Sequence, residues 1–111
     1  MRLAKRECEP CKAGTTPLSE SECAELMVEL EGWTIENGHL VKILKMSGFM
    51  PPMNLANKIA ALAESVSHHP DLHIRWGEIK IIIWTHAING LSLADFILAA
   101  KIDELVVSDV V

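Results

Sequence analysis

From Ser19 onward the apolar residues follow two alternating periods. Cys23, Leu26, Met27 and Leu30 recur at helical spacing behind Ser19-x-x-Glu22, a capping box in which each residue satisfies a backbone N–H near the other. A helix is predicted from Ser19 to about Glu31, with Gly32 where a C′ glycine stands. Trp33–Glu36 and His39–Met46 flank Asn37-Gly38, the pair that best tolerates the positive φ angles of a type I′ hairpin turn. Gly48 and Pro51-Pro52 break the chain, and prolines suit the first turn of a helix. Met53, Ala56, Ile59, Ala60, Ala63 and Val66 then share one face, so a second helix runs to about Ser67 and stops at His69-Pro70.

Leu72–Trp76 reads as a short strand, Gly77 as a turn or bulge, and Glu78–His86 as the clearest strand of the chain. Ile79, Ile81 and Ile83 face one way; Lys80, Ile82, Trp84 and His86 face the other. That second face is apolar enough to suggest contact with another subunit. After Asn89-Gly90, Ser92-x-x-Asp95 opens a third helix with Phe96, Ile97, Ala100, Leu105 and Val106 as core candidates. The order α-β-β-α-β-β-α predicts an α+β fold, a four-stranded antiparallel sheet with three helices packed on one face. Residues 1–18, with Pro10, Gly14 and Pro17 and no apolar period, read as an extended N-terminal arm, and 19–111 as a single domain.

Composition narrows the class. Among 111 residues half are hydrophobic and 23% charged, which favours a packed core over disorder. The net charge of −5 argues against a nucleic-acid binder, which needs clustered basic charge. No apolar run approaches the roughly 20 residues that span a bilayer, and the N-terminus lacks the apolar core of a secretory signal. Three cysteines are too few for a disulfide scaffold. The expectation is a cytoplasmic, soluble domain without a membrane partner.

Four of the five histidines fall within nineteen positions: His68, His69, His73 and His86. Imidazoles converging on one site can move protons or hold a metal. His68 and His69 also suit a helix C-terminus, where cationic side chains meet the negative end of the dipole. Glu64 lies four residues before His68, a spacing that shares a helical face and could orient its ring, or form an ordinary solvated contact. His86 ends the last strand, where a rigid element meets a loop. Asp95 has a structural role beside Ser92. Trp33, Trp76 and Trp84 read as core or interface aromatics, one of which could wall a planar ligand. Cys8-x-x-Cys11 has the spacing of half a zinc site, with Cys23 or a histidine as recruits, but no second close cysteine pair completes it.

Taken in order, Glu64-Ser65-Val66-Ser67-His68-His69-Pro70, Trp76, Thr85-His86, Gly90-Leu91 and Asp95 resemble the signature of the pterin-4a-carbinolamine dehydratases. The resemblance covers about Ser19 to Leu105, and Trp76-Gly77 with Trp84-Thr85-His86 looks most like the bacterial branch. It implies a hydro-lyase that dehydrates a 4a-hydroxytetrahydropterin to the quinonoid dihydropterin, recycling the cofactor of aromatic amino-acid hydroxylases. It also implies that no cofactor and no metal are needed. By the family pattern His68, His69 and His86 are the catalytic trio, His86 as acid at the 4a-hydroxyl and His68 as base, or the reverse. His69 would hold the pterin, with Glu64, Asp95, Trp76 and Thr85 in substrate-binding or supporting roles. The implied partners are the pterin, further copies in a homodimer or homotetramer, and an aromatic amino-acid hydroxylase. Two other classes share the fold: a dimeric binding module serving a homeodomain transcription factor, and proteins of molybdopterin metabolism.

Overall fold

In a computed structural model the chain is described at residues 3–7 and 16–110, with 108–110 described by backbone alone. Helix α1 spans Glu20–Met27, strand β1 Thr34–Glu36, strand β2 His39–Lys45 and helix α2 Met50–Val66. Strand β3 follows at Asp71–Arg75, β4 at Glu78–Ile83 and helix α3 at Leu93–Val110. The sheet is antiparallel in the order β1-β2-β4-β3, so the two hairpins of the sequence join through β2 and β4. The predicted α+β architecture is the observed one.

Local chemistry sets the boundaries. Ser19 and Glu22 form both halves of the capping box, so α1 starts where its cap requires. That helix ends at Met27, earlier than expected, and Val28 to Gly32 form turns instead. Asn37 (φ 53°) and Gly38 (φ 75°) take the two left-handed positions of the hairpin turn. Helix α2 begins at Met50, with Pro51 and Pro52 both in its first turn as the sequence suggests, where their missing N–H groups have no helical partner to lose.

Alternation in β4 puts Ile79, Ile81 and Ile83 on the helix-covered face, each fully buried. Leu40 of β2 and Leu55 and Ile59 of α2 are buried with them, as are Phe96, Leu98 and Ile102 of α3. Burying an aliphatic side chain of this size contributes about 1.5–3 kcal/mol, so the isoleucine row fixes the register of the central strand. The opposite face carries Ile43, Lys80, Ile82 and Trp84, and no described helix covers it.

The expected extended arm is only part of the N-terminal picture. Leu3–Lys5 make a 3-10 turn against α3, with Leu3 fully buried. The Leu3 N–H donates to Glu29 Oε1 at 2.9 Å, and Lys101 Nζ donates to the Ala4 carbonyl at 2.7 Å. Arm residues 8–15, including Cys8 and Cys11, lie outside the described residues. Pro17 and Leu18 run along the loop after β4, where the Leu18 N–H donates to the Leu91 carbonyl at 2.9 Å.

Candidate functional site

The end of the sheet where β3 begins and β4 finishes collects the chemistry. Asp71 opens β3 opposite Ile82 of β4. The residues before Asp71 and after Ile83 therefore emerge side by side: His68-His69-Pro70 from one side, Trp84-Thr85-His86 from the other. Below them sits the first turn of α3.

Asp95, 0% exposed on that turn, joins the two approaches. Its Oδ2 accepts from the Thr85 hydroxyl at 2.8 Å and from the Ser92 N–H at 2.8 Å, while Thr85 and Ser92 hydroxyls lie 2.9 Å apart. Its Oδ1 meets His68 Nε2 at 2.6 Å, with the His68 side chain 16% exposed. A buried carboxylate is costly unless its oxygens are satisfied, and here a helix cap, a threonine and an imidazole satisfy them together. The bond uses Nε2 of His68 and leaves Nδ1 as the nitrogen able to face a ligand.

Glu64 does not orient His68. Ser67 takes a left-handed conformation (φ 54°, ψ 39°), so the helical i,i+4 relation ends before His68 is reached. That kink turns His68 inward to Asp95, while His69 Nε2 meets Glu64 Oε2 at 2.5 Å on the surface. His86 is also displaced from its expected place. Strand β4 ends at Ile83 and His86 opens a 3-10 turn, His86–Ile88, that closes at Asn89 (φ 49°). The turn is pinned by an isolated bridge in which the Thr85 N–H donates to the Gly90 carbonyl at 2.9 Å. His86 is exposed, and its ring stacks on Trp84.

Trp76 is the one expected site residue that the fold separates from the rest. It lies 73% exposed at the β3–β4 turn, a full strand of about 17 Å from the end that bears His69. His73 points outward from mid-strand opposite Lys80. The electrostatics elsewhere are local: the backbone and side chain of Ser19 hold Glu22 below the usual carboxylate range, and burial pushes the Cys23 thiol up. Among the described residues no cluster of three His, Cys, Asp or Glu side chains could hold a metal. No helix among them is long and apolar enough to cross a membrane. An open apolar groove between α1, Ile35 and Gly90-Leu91 lies beside the site loop, but its lining supplies no histidine. The acid–base groups, not this groove, mark the candidate site.

Fold and site together define a small α+β protein with paired imidazole–carboxylate groups at one sheet edge. Residues 16–105 match the family model described as pterin 4 alpha carbinolamine dehydratase, and the chain belongs to that family. A Rickettsia bellii protein provisionally named pterin-4-alpha-carbinolamine dehydratase is 52% identical over 105 residues, 93% of each chain. An Arabidopsis thaliana protein named pterin-4-alpha-carbinolamine dehydratase 2, mitochondrial, is 40% identical over 96% of this chain and 60% of its own length. The crystal structure of a Brucella melitensis protein named transcriptional coactivator/pterin dehydratase superimposes with a TM-score of 0.75 at 25% identity, covering 81% of this chain and 98% of that one.

Proposed function

We propose that the protein is a hydro-lyase that converts a 4a-hydroxytetrahydropterin to the quinonoid dihydropterin and water, returning the cofactor spent by aromatic amino-acid hydroxylases. The observation that carries this reading is the Asp95–His68 pair beside Thr85-His86, in a chain of this family. Breaking the C4a–O bond needs a proton delivered to the hydroxyl oxygen, which leaves as water. The cation left behind becomes neutral by losing a proton from a ring nitrogen. Two imidazoles in opposite protonation states perform both transfers, then exchange protons with solvent to reset.

The partners of the histidines support a division of roles. A carboxylate on the far nitrogen holds an imidazole in one orientation and stabilises the imidazolium formed when it accepts a proton. His68 has that carboxylate, so it acts as base through Nδ1. His86 has no carboxylate among the described residues and acts as acid at the 4a-hydroxyl. His69, steadied by Glu64, holds the pterin, and Asp95, braced by Thr85, supports His68. The apolar outer face bearing Ile43, Ile82 and Trp84 supports a homo-oligomer. The protein would act in the cytoplasm.

The test is stopped-flow dehydration of freshly generated 4a-hydroxytetrahydropterin by EDTA-treated protein. Wild type is expected to exceed the spontaneous rate, and His68→Ala and His86→Ala are each expected to lose about 10²-fold or more while remaining folded. No acceleration by folded wild type would overturn the reading. A binding module would tolerate His86→Ala in a partner pull-down, an outcome to weigh because the Brucella protein's name also includes transcriptional coactivator.

A further inference from the structure

The three site histidines are oriented by two different devices. His68 and His69 each give Nε2 to a carboxylate, at 2.6 and 2.5 Å. His86 makes no such bond among the described residues. Its ring instead lies against the indole of Trp84, with centroids 3.8 Å apart and planes 30° from parallel. His39 of β2 stacks on the same indole at 4.3 Å and 21°. Two rings so close to one centroid cannot share a face, so the indole is held between them. The placement follows from register. His39 and Trp84 lie one step beyond Leu40–Ile83, the last pair of the β2–β4 ladder. Trp84 therefore extends the centre of the sheet to the 3-10 turn that bears His86.

We propose that Trp84, backed by His39, is the positioning element of His86, the counterpart for that ring of what Asp95 is for His68. The proposal rests on the reading of His86 as the proton donor. Stacking fixes the plane of the imidazole and leaves both ring nitrogens open at the edge, whereas a carboxylate would occupy one of them. The indole face also attracts a cation, so the ring keeps its place both with and without the transferred proton. One face of His86 is covered, and substrate meets the ring at its edge or its free face. Trp84 itself touches no reacting atom in this arrangement.

The test is a double-mutant cycle on single-turnover dehydration, using Trp84→Leu, Trp84→Phe and His86→Ala in the full chain. Trp84→Leu keeps apolar bulk but removes the flat ring. It is expected to lower the turnover rate roughly 10- to 100-fold with KM changed by less than about threefold, as a misplaced catalytic group does. Trp84→Phe is expected to restore most of the rate, and Trp84→Leu is expected to cost nothing further on the His86→Ala background. His39→Leu reads the same stack from its far side and serves if Trp84→Leu fails to fold; a drop of about threefold in turnover is expected. Wild-type turnover in a folded Trp84→Leu or His39→Leu, with His86→Ala slow, overturns the positioning role and leaves the proposed function standing. An equal loss from Trp84→Leu in both backgrounds also overturns it, since the residue would then act elsewhere. Full activity in His86→Ala overturns the proposed acid and this inference together.

Discussion

Helix α3 carries two inward-facing carboxylates eight residues apart, and their partners differ in kind. Asp103 accepts from Lys42 Nζ at 2.6 Å, from the Trp33 indole N–H at 2.7 Å and from the Glu31 N–H at 3.1 Å. Lys42 also donates to the Glu31 carbonyl at 2.7 Å. None of those donors is an imidazole, and the cluster ties the α1–β1 loop, β2 and α3 into one arrangement. Asp95 accepts from Thr85 and Ser92 in the same static way, but its other oxygen holds His68. An imidazole bonded at one nitrogen still has a second nitrogen to gain or lose a proton. One helix thus uses a carboxylate as a lock at its middle and as a handle on a titrating group at its start.

The largest effect that would break this comparison is expected at the lock. Asp103→Ala leaves the Lys42 ammonium without its anion in a pocket where its side chain is 10% exposed. A loss of about 3 kcal/mol is expected in urea unfolding, with turnover retained at temperatures where the variant stays folded. Next comes Gly90→Ala, which acts on the site loop from behind. A Cβ at Gly90 would stand 2.8 Å from Pro17 Cβ and 2.9 Å from its Cγ. About 1–3 kcal/mol of destabilisation is expected, together with slower dehydration, because the displaced segment carries the Thr85–Gly90 bridge. The smallest effect sharpens the contrast at a surface carboxylate. Glu22 has its folded pKa lowered by the Ser19 backbone and hydroxyl, so its stabilisation is present above the unfolded value and fades as pH falls through the folded one. Thermal melts of wild type and Glu22→Gln are expected to differ at neutral pH and converge in acid.

Much of this was legible because local chemistry announces it. The Asn37-Gly38 turn, the Ser19–Glu22 box, the paired prolines of α2 and the isoleucine alternation of β4 each act within a few residues, and each appears where the sequence places it. His68, His69, His86, Thr85 and Asp95 were each expected from the signature. Their pairing was not, because the partner of His68 lies 27 residues away and a left-handed serine, not a glycine, diverts the chain toward it. Lys42 hid for a related reason: it occupies an inward position of β2 beside Leu40 and Leu44, and Asp103 together with the Glu31 carbonyl makes that position tolerable. Trp76 misled in the other direction. Its place in the signature suggested the site, whereas a strand's length carries it to the opposite end.

The most direct measurement sets Asp95→Asn against Asp103→Asn in single-turnover dehydration of 4a-hydroxytetrahydropterin, each at a temperature where melting shows it folded. Asp95→Asn keeps the shape of the site but removes the charge that steadies protonated His68, and about a 10²-fold slower reaction is expected. Asp103→Asn is expected to melt earlier and to turn over within about twofold of wild type. Wild-type turnover in Asp95→Asn, or an equal loss in both variants, would contradict the assignment of Asp95 as the handle on a catalytic histidine.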